Sequence, residues 1–362
     1  ELKTRIARTK DGETLPLDEP YSTTVVKRVW ESGRPFVTVD VADSSVDTTE
    51  SIMQIRLLSV MGVPLPVEGR NIGVLYVDST KAVRSFTDSD LSVFKALGGM
   101  IGNAVERARL MAEEEARERM KRDLLLAQEI QQGFLPETLH QPEGFDIAGV
   151  GVPCEETSGD YYDVIPHGDG RVALIVGDVS DHGLGPAMVM ASTRALLHGI
   201  LASHHDPLEV IASVNHFMER DTPDDTFMTM FLGALEPRSR TMEYVSAGHN
   251  APLLWRPDGT VDELTRTGMG LGIMPNAPYR VRTFEDFEPG TVLMLFTDGL
   301  FEAKNVENEI YGEDRLRDSF ARHAQGAASA EAVVEGVVAD LTGFVGDRPS
   351  EDDLTCLVVR AL

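Results

Sequence analysis

The chain has 362 residues, of which 42% are hydrophobic and 25% charged, as expected for a folded globular protein of two or three domains. Its formal net charge of −26 disfavours nucleic acid and anionic membranes as partners, because both require a basic surface. No apolar run approaches the roughly 20 residues of a membrane span, and the first residues do not read as a signal peptide. Two cysteines, Cys154 and Cys356, suit a reducing compartment, so we predict a cytoplasmic protein.

The first part of the chain predicts a small α/β unit. Ser22 to Glu31 has the apolar spacing of a short helix that ends at Gly33, and a long helix begins at Thr87 or Asp88. Between the two helices, apolar β-rich runs predict three strands, at Pro35 to Val41, Ser59 to Val67 and Ile72 to Asp78.

Residues 104–135 have the composition of a strong helix former, and Pro136 stops the pattern. Apolar residues recur every three or four positions from Val105 to Phe134. This spacing fits a parallel coiled coil that links two copies of the chain, or a single helix that packs on its own domains.

The second part, from Phe145 to Leu362, alternates short β-rich runs with amphipathic helices. The helices are predicted at about 184–202, 207–220 and 328–344. Runs of strands with helices in pairs predict an α+β fold in which two sheets are covered by helices on their outer faces.

Acidic residues cluster at the ends of a predicted hairpin between Thr157 and Gly183. Asp160 and Asp163 begin one strand, and Asp178 and Asp181 follow the next, on either side of an H-G-D-G turn. Such a hairpin returns its far end beside its beginning, so we expect these carboxylates to converge.

Two later stretches repeat this arrangement. Asp298 follows the apolar run L-M-L-F-T, and Asp352 and Asp353 precede L-T-C-L-V-V. A single aspartate beside glycine is usually a turn residue. Three such stretches together instead suit hard, oxygen-preferring cations such as Mg²⁺ or Mn²⁺.

Metal-assisted hydrolysis of a phosphate ester is the chemistry that these carboxylates fit. Two ions side by side can activate water and clamp a phosphoryl group. Residues 123–170 contain no lysine or arginine, so a phosphate there would be held largely by metal. Cys154 and Cys356 lack the glycine-rich loop and neighbouring arginine of a cysteine-dependent phosphatase.

The first 110 residues resemble the GAF family of sensory domains. The resemblance rests on V-P-L, I-G-V-L-Y-V-D and F-T-D-S-D-L within residues 59–110. It implies an α/β sensory domain, here partial at its N-terminus. Ligand sensing and ligand-free dimerisation are both compatible with these motifs.

Residues 125–362 resemble the metal-dependent serine/threonine phosphatases of type 2C, in their bacterial SpoIIE- and RsbU-like branch. The matching motifs stand in the family's order: A-Q-E-I-Q-Q-G-F-L-P, S-G-D-Y-Y-D, G-D-V-S-D-H-G, S-A-G-H-N-A-P, L-F-T-D-G-L and E-D-D-L-T. The resemblance implies a layered αββα sandwich. The domains are then a GAF-like domain at 1–110, a helical linker at 111–136 and a phosphatase domain at 137–362.

The resemblance also implies which residues form the site. Asp160, Asp178, Asp298 and Asp352, with the carbonyl of Val179, would hold two Mn²⁺ or Mg²⁺ ions, and Asp178 would bridge them. Further residues would surround these ligands, namely Asp163, Asp353, His249 and Asn250. His249 and Asn250 are expected to shape the site rather than react.

Two residues leave alternatives open. Asp181 stands where the family has the first glycine of G-H-G, so a positive φ is expected there, and its carboxylate would either add a ligand or weaken phosphate binding. His182 is either the general acid for the leaving seryl or threonyl oxygen or a turn histidine bonded to backbone. Ser158 stands where the family usually has a glycine before Gly159 and Asp160, and this change is mild.

The resulting hypothesis is a protein phosphatase that is regulated by its GAF-like domain through the linker helix. By resemblance, its substrate is a phosphorylated antagonist of an anti-sigma factor, and the chain forms a homodimer through the GAF domain and the linker. The alternative is a catalytically weakened fold that sequesters the phosphorylated partner. A phosphodiesterase acting on nucleotides is disfavoured, because no basic groove is visible.

Overall fold

A computed structural model describes residues 3–17, 21–39, 59–79, 86–136, 138–167, 169–204 and 206–362. The chain divides into two compact units, residues 1–120 and 121–362. None of the helices in the described ranges combines the length and hydropathy that crossing a bilayer requires.

In the part of the first unit that the structure describes, one short helix lies on a three-stranded antiparallel sheet. Helix α1 is capped at its start by Ser22, whose Oγ accepts from the Val25 N–H, and it ends at Gly33 with φ 61°. Val25, Val29 and Val60 form the buried contact between helix and sheet. The bounds are α1 Thr23–Ser32, β1 Phe36–Val39, β2 Ser59–Val67 and β3 Arg70–Ser79, in the sheet order β1-β2-β3. The predicted helix and strands are confirmed, except that residues 40 and 41 lie outside the described residues.

A single long helix, α2 (Asp88–Gln132), follows. A reciprocal pair of hydrogen bonds caps it: the Thr87 N–H donates to Asp90 Oδ2 at 2.8 Å, and the Asp90 N–H donates to Thr87 Oγ1 at 3.3 Å. The helix continues through most of the predicted linker and ends four residues before Pro136. It therefore delivers the chain directly to the second unit.

The second unit contains two five-stranded antiparallel sheets. Their strand orders are β10-β9-β12-β13-β4 and β11-β8-β7-β6-β5. The strands are β4 Phe145–Val152, β5 Asp160–Pro166, β6 Val172–Val179, β7 Met228–Glu236, β8 Thr241–Ala247, β9 Leu253–Trp255, β10 Val261–Glu263, β11 Arg282–Phe284, β12 Val292–Phe296 and β13 Leu354–Ala361.

Two pairs of helices cover the outer faces of these sheets. They are α3 Leu184–Leu201 and α4 Pro207–Asp221 on one sheet, and α5 Glu313–Ala324 and α6 Ala330–Val345 on the other. One buried cluster fills the space between the sheets, with Leu174 from β6 and Leu295 from β12. In β6, Ala173 and Ile175 face the helices instead, so the strand is apolar on both faces. The predicted αββα sandwich is confirmed.

Helix α5 is absent from the sequence prediction. It carries many charged residues, and only Leu316, Phe320 and Ala324 are buried apolar positions. Their spacing of four residues is the helical signal that was available. The charged composition concealed it.

Candidate active site

The β5–β6 hairpin brings the first two predicted ligands together. Asp160 and Asp178 are direct cross-strand partners in the antiparallel register. The His167 N–H donates to the Arg171 carbonyl at 2.8 Å and so closes the hairpin. The expected return of the hairpin's far end beside its beginning is confirmed for this pair.

The second sheet supplies carboxylates at the matching edge. Strand β12 ends at Phe296, which pairs with Cys356 of β13, so Asp298 after β12 and Asp352 before β13 lie at the same end of the sheet. Thr297 Oγ1 donates to Asp160 Oδ2 at 2.8 Å and accepts from the Thr355 N–H at 3.0 Å. This threonine joins the edges of the two sheets at the site.

Close backbone contact holds these two loops together. A Cβ on Gly299 would lie 2.0 Å from the carbonyl oxygen of Asp353, so only glycine fits there without movement. Asp353 in turn accepts from two backbone N–H groups, those of Cys154 and Gly159, each at 2.8 Å. Its carboxylate therefore fastens the loop that precedes Asp160.

Like charges and burial dominate the electrostatics of the site. Burial raises the pKa of Asp178, and the charges of Asp160, Asp298, Asp352 and Asp353 raise it further. Burial also raises the pKa of Asp160, although hydrogen bonds from Thr355 and Thr297 oppose the change.

The other two predicted carboxylate ligands follow the same trend. Burial raises the pKa of Asp298, with Glu302 adding to the effect. Burial raises the pKa of Asp352 as well. The site thus brings several carboxylates together where water has little access. This disfavours their charged forms, and a bound cation would stabilise them.

The donor set suits a hard divalent cation, since it consists of carboxylate oxygens. In the ranges that the structure describes, however, no three His, Cys, Asp or Glu side chains are spaced to share one ion. Asp160 is turned to Thr297, and Asp353 to backbone N–H groups. These hydrogen bonds hold the two carboxylates in their present positions.

The carbonyl of Val179 lies beside the same loop. A Cβ on Gly159 would be 2.9 Å from this oxygen, and the Val179 N–H donates to the Gly159 carbonyl at 3.4 Å. Glycine at 159 therefore leaves the carbonyl of Val179 uncovered on that side.

Asp181 and His182 occupy the exposed loop between β6 and α3. Asp181 has φ 66°, so the positive φ expected at this position is confirmed. His182 Nδ1 lies 3.3 Å from Glu155 Oε1, and both side chains are about half exposed. The partner of His182 is thus a carboxylate. Burial raises the pKa of Asp352, and a charge on His182 opposes this change, so the histidine ring lies near Asp352.

Asp163 is not brought to the carboxylate cluster. It is three residues from Asp160 on the same strand and so lies on the opposite face. Its Oδ2 accepts from Tyr161 Oη at 2.6 Å and lies 2.8 Å from His198 Nε2 of α3. In this position it joins β5 to α3.

His249 is fully buried and contacts β7. Its Nδ1 lies 2.8 Å from Oγ1 of Thr229, the residue paired with Asp178 across β6 and β7. Burial lowers the pKa of His249 to about 3, and the charge of Arg266 adds to this. The ring is therefore neutral at physiological pH. Asn250 follows it, half-buried.

The cysteines are not equipped to act as nucleophiles. Burial raises the pKa of Cys154 to about 12, with the charge of Asp353 contributing, and burial raises that of Cys356 to about 12. Both thiols stay protonated near neutral pH. This agrees with the prediction from sequence.

Sequence reasoning missed three residues that organise the site. Thr297 links the sheets, Glu155 faces His182, and Gln131 of α2 bonds the loop before Asp160. The Gln131 side chain donates to the Ser158 carbonyl at 2.6 Å and accepts from the Ser158 N–H at 2.9 Å. Thr297 and Gln131 both lie inside motifs already noted, but their partners are distant in sequence.

Comparison with known proteins adds the family. The profile of Stage II sporulation protein E (SpoIIE) matches residues 168–362, and that of the GAF domain matches residues 6–106. Protein IcfG of Synechocystis sp. is 26% identical over 323 residues, which cover 78% of this chain and 50% of IcfG. Phosphoserine phosphatase RsbU of Bacillus subtilis is 26% identical over 242 residues, covering 67% of this chain and 70% of RsbU. The chain thus spans half the length of IcfG.

Solved structures agree with the observed sandwich. The SiaA-PP2C domain of Pseudomonas aeruginosa superposes with a TM-score of 0.58 at 26% identity, covering 68% of this chain and 98% of that domain. The structure of the RsbU and RsbW domains of a Mycobacterium tuberculosis protein gives a TM-score of 0.56 at 27% identity, covering 63% of each chain. With a family profile matched over more than half of its length, the chain belongs to the SpoIIE family, with a PP2C-like fold preceded by a GAF domain.

Proposed function

We propose that this protein is a metal-dependent phosphatase of phosphoserine or phosphothreonine in proteins. The observation that carries the proposal is the cross-strand pair of Asp160, which is buried, and Asp178, which is partly buried, with Asp298 and Asp352 of the other sheet as neighbours. RsbU, which is 26% identical to the chain, is itself a phosphoserine phosphatase. Membership in the SpoIIE family supports the same activity.

Asp160, Asp178, Asp298 and Asp352, with the Val179 carbonyl, would hold two Mn²⁺ or Mg²⁺ ions. When bound, such ions activate water and neutralise the charge of the phosphoryl group during displacement. The fit rests on the donor set and on the raised pKa values of Asp160 and Asp178. Asp353 and Thr297 keep the ligand loops in place through their hydrogen bonds.

His182 is proposed as the general acid that protonates the leaving seryl or threonyl oxygen. Glu155 faces Nδ1 and so leaves Nε2 for the substrate. Asp181 keeps the backbone conformation that the family's glycine would adopt, which supports an active loop. Its own carboxylate is a further catalytic candidate beside the metal ligands.

The partner is proposed to be a phosphorylated regulatory protein of the anti-sigma factor antagonist type. We further propose that the GAF domain regulates the site through α2. Gln131, near the end of α2, is buried and bonds both backbone groups of Ser158, whose Oγ accepts from the Asp160 N–H at 3.0 Å. A shift of α2 would thereby reach a metal ligand.

The apolar residues of α2 suggest that a second copy of the chain forms a homodimer with it. Val105, Met120 and Ile130 are 50%, 65% and 53% exposed, which is unusual for such residues on a long helix. Met120→Glu should lower the dimer fraction in sedimentation velocity, and an unchanged dimer fraction would contradict this contact.

The domain boundaries that the sequence indicates, 1–110, 111–136 and 137–362, remain a prediction.

The primary test is hydrolysis of an aryl phosphate by the full chain with Mn²⁺, Mg²⁺ or EDTA. We expect turnover with metal, none with EDTA, and loss of roughly 100-fold or more in Asp178→Asn. Absence of turnover with every metal in a folded protein would favour the sequestering alternative. In that case Asp181→Gly should restore activity.

Regulation is tested separately with two neighbouring glutamines. Gln131→Ala should raise the Mn²⁺ concentration needed for half-maximal turnover, because the loop before Asp160 loses its anchor. Gln132→Ala is the matched control, since Gln132 is exposed on the same helix. Equal behaviour of the two variants would remove this route of coupling.

A further inference from the structure

A group of exposed apolar side chains lies next to the site. Phe227, Met269, Ile273 and Met274 are 39%, 37%, 56% and 38% exposed and form what is called here the apolar ledge. They stand on two loops, residues 222–227 before β7 and residues 268–276. Exposed apolar groups of this size on a folded protein mark contact surfaces more often than chance.

The two loops are fastened to each other and to the helix behind them. Met228 and Leu271 exchange backbone hydrogen bonds of 3.0 and 2.7 Å. Asn215 of α4, which is 3% exposed, accepts from the Gly272 N–H at 3.0 Å and donates to the Met274 carbonyl at 3.1 Å. These hydrogen bonds fix the backbone of the loop that carries Ile273 and Met274.

Two side chains of the ledge, Phe227 and Ile273, lie close together. A Cβ placed on Gly270 would lie 3.0 Å from Ile273 Cδ1 and 3.6 Å from Phe227 Cδ2. Both side chains thus border the same small space, which the glycine leaves open. Together they offer a shallow apolar surface of the size of one or two side chains.

The ledge is continuous with the loop that carries the proposed site residues. The Ser180 N–H donates to the Phe227 carbonyl at 2.9 Å, and the Phe227 N–H donates to Ser180 Oγ at 3.1 Å. Ser180 lies between Val179 and Asp181 in the chain. The ledge therefore adjoins the loop on which Val179 and Asp181 lie.

The charges around the ledge are of both signs. Asp181, Asp224 and Asp225 are exposed on the adjoining loops, and Arg266 and Arg280 are exposed on either side of residues 268–276. The apolar side chains, rather than a net charge, therefore distinguish this surface.

We propose that the apolar ledge binds the substrate protein beside its phosphorylated residue, and that it selects an apolar side chain there. This selection rests on the proposed phosphatase function. It adds a sequence preference that the metal site alone would not have, because phosphate and metal contacts are the same for every phosphoserine.

The test compares two phosphoserine peptides on the full-length protein with Mn²⁺. One carries leucine beside the phosphoserine, and the other carries serine there. We expect the ratio of their kcat/KM values to favour the first peptide, and to fall roughly tenfold in Ile273→Ser. Ile310→Ser is the matched control, since Ile310 is 53% exposed and lies outside the ledge.

An aryl phosphate, measured in parallel, separates the two proposals. No aryl phosphate turnover in the wild type would refute the phosphatase function itself. Turnover with equal use of both peptides, or a peptide ratio that Ile273→Ser leaves unchanged, would overturn the ledge alone. A lower dimer fraction for Ile273→Ser in sedimentation velocity, with the peptide ratio intact, would make the ledge a contact between copies of the chain.

Discussion

Replacing Gly299 with alanine tests whether close backbone contact holds the two metal loops together. The new Cβ would lie 2.0 Å from the Asp353 carbonyl oxygen, whereas Cβ atoms essentially never approach within 3.0 Å. The loops would have to separate by about 1 Å. Overpacking of this kind costs about 2 kcal/mol, or roughly 4–8 °C in Tm for a unit of this size. A 1 Å displacement at a catalytic site lowers the rate by about 100-fold.

The assays are thermal unfolding followed by circular dichroism, Mn²⁺ titration calorimetry and aryl phosphate turnover. Gly343→Ala provides the control, because a Cβ at Gly343 in α6 has no neighbour within 4 Å. That variant should be slightly more stable than the wild type, since alanine favours helix over glycine by about 1 kcal/mol. If Gly299→Ala kept wild-type Tm, metal affinity and rate, the reasoning about loop contact would be refuted.

Three further predictions concern the proton that His182 donates, the contact between α5 and α6, and the pH dependence of Tm with and without metal. Glu155→Gln should lower kcat roughly tenfold for phenyl phosphate but much less for p-nitrophenyl phosphate, because only the poorer leaving group needs the proton of His182; equal losses would contradict this. Asp340→Asn should destabilise the α5–α6 contact by about 1–2 kcal/mol in urea unfolding, since Ser319, Arg322 and His323 all bond its Oδ2. The hydrogen bond from Ser319 is the main cause that lowers the pKa of Asp340 in the folded state. The loss in free energy of unfolding caused by the substitution should therefore be largest at pH 7 and become smaller as pH falls below about 4. In EDTA, the raised pKa of Asp178 means that the folded state binds more protons than the unfolded state, so Tm should rise as pH falls from about 9. The dependence of Tm on pH should be weaker in Asp178→Asn, and weaker in the wild type with Mn²⁺. The same dependence in these two samples and in the wild type with EDTA would contradict the clustering of carboxylates.

The pairing of Asp160 with Asp178 was predictable because the signals are local. Two apolar runs flank a glycine-containing turn, and a hairpin of this length leaves little freedom in register. Asp298 and Asp352 followed from the same reasoning at strand ends. Even the placement of Asp163 was available, since residues three apart on a strand face opposite sides.

The contacts that fix the site were not predictable in the same way. Thr297 bonds Asp160 across 137 positions of sequence, and Asp353 bonds Gly159 across 194. Nothing near either residue indicates its partner, because the two sheets meet only after the sandwich has formed. The position of Ile273 likewise depends on a loop that is hydrogen-bonded to Asn215, a residue that the sequence presents as an ordinary part of a helix.

The bond between Thr297 and Asp160 has a consequence for how activity is acquired. Because two of the four proposed carboxylate ligands come from each sheet, neither sheet alone would form the complete metal site, and a partly synthesised or partly unfolded chain would be inactive. Activity would thus report completed assembly. Bound cations would in turn fasten the sheets, adding about 2.7 kcal/mol when free metal is 100 times its Kd. Cellular metal supply would then set the lifetime of the fold as well as its rate of turnover.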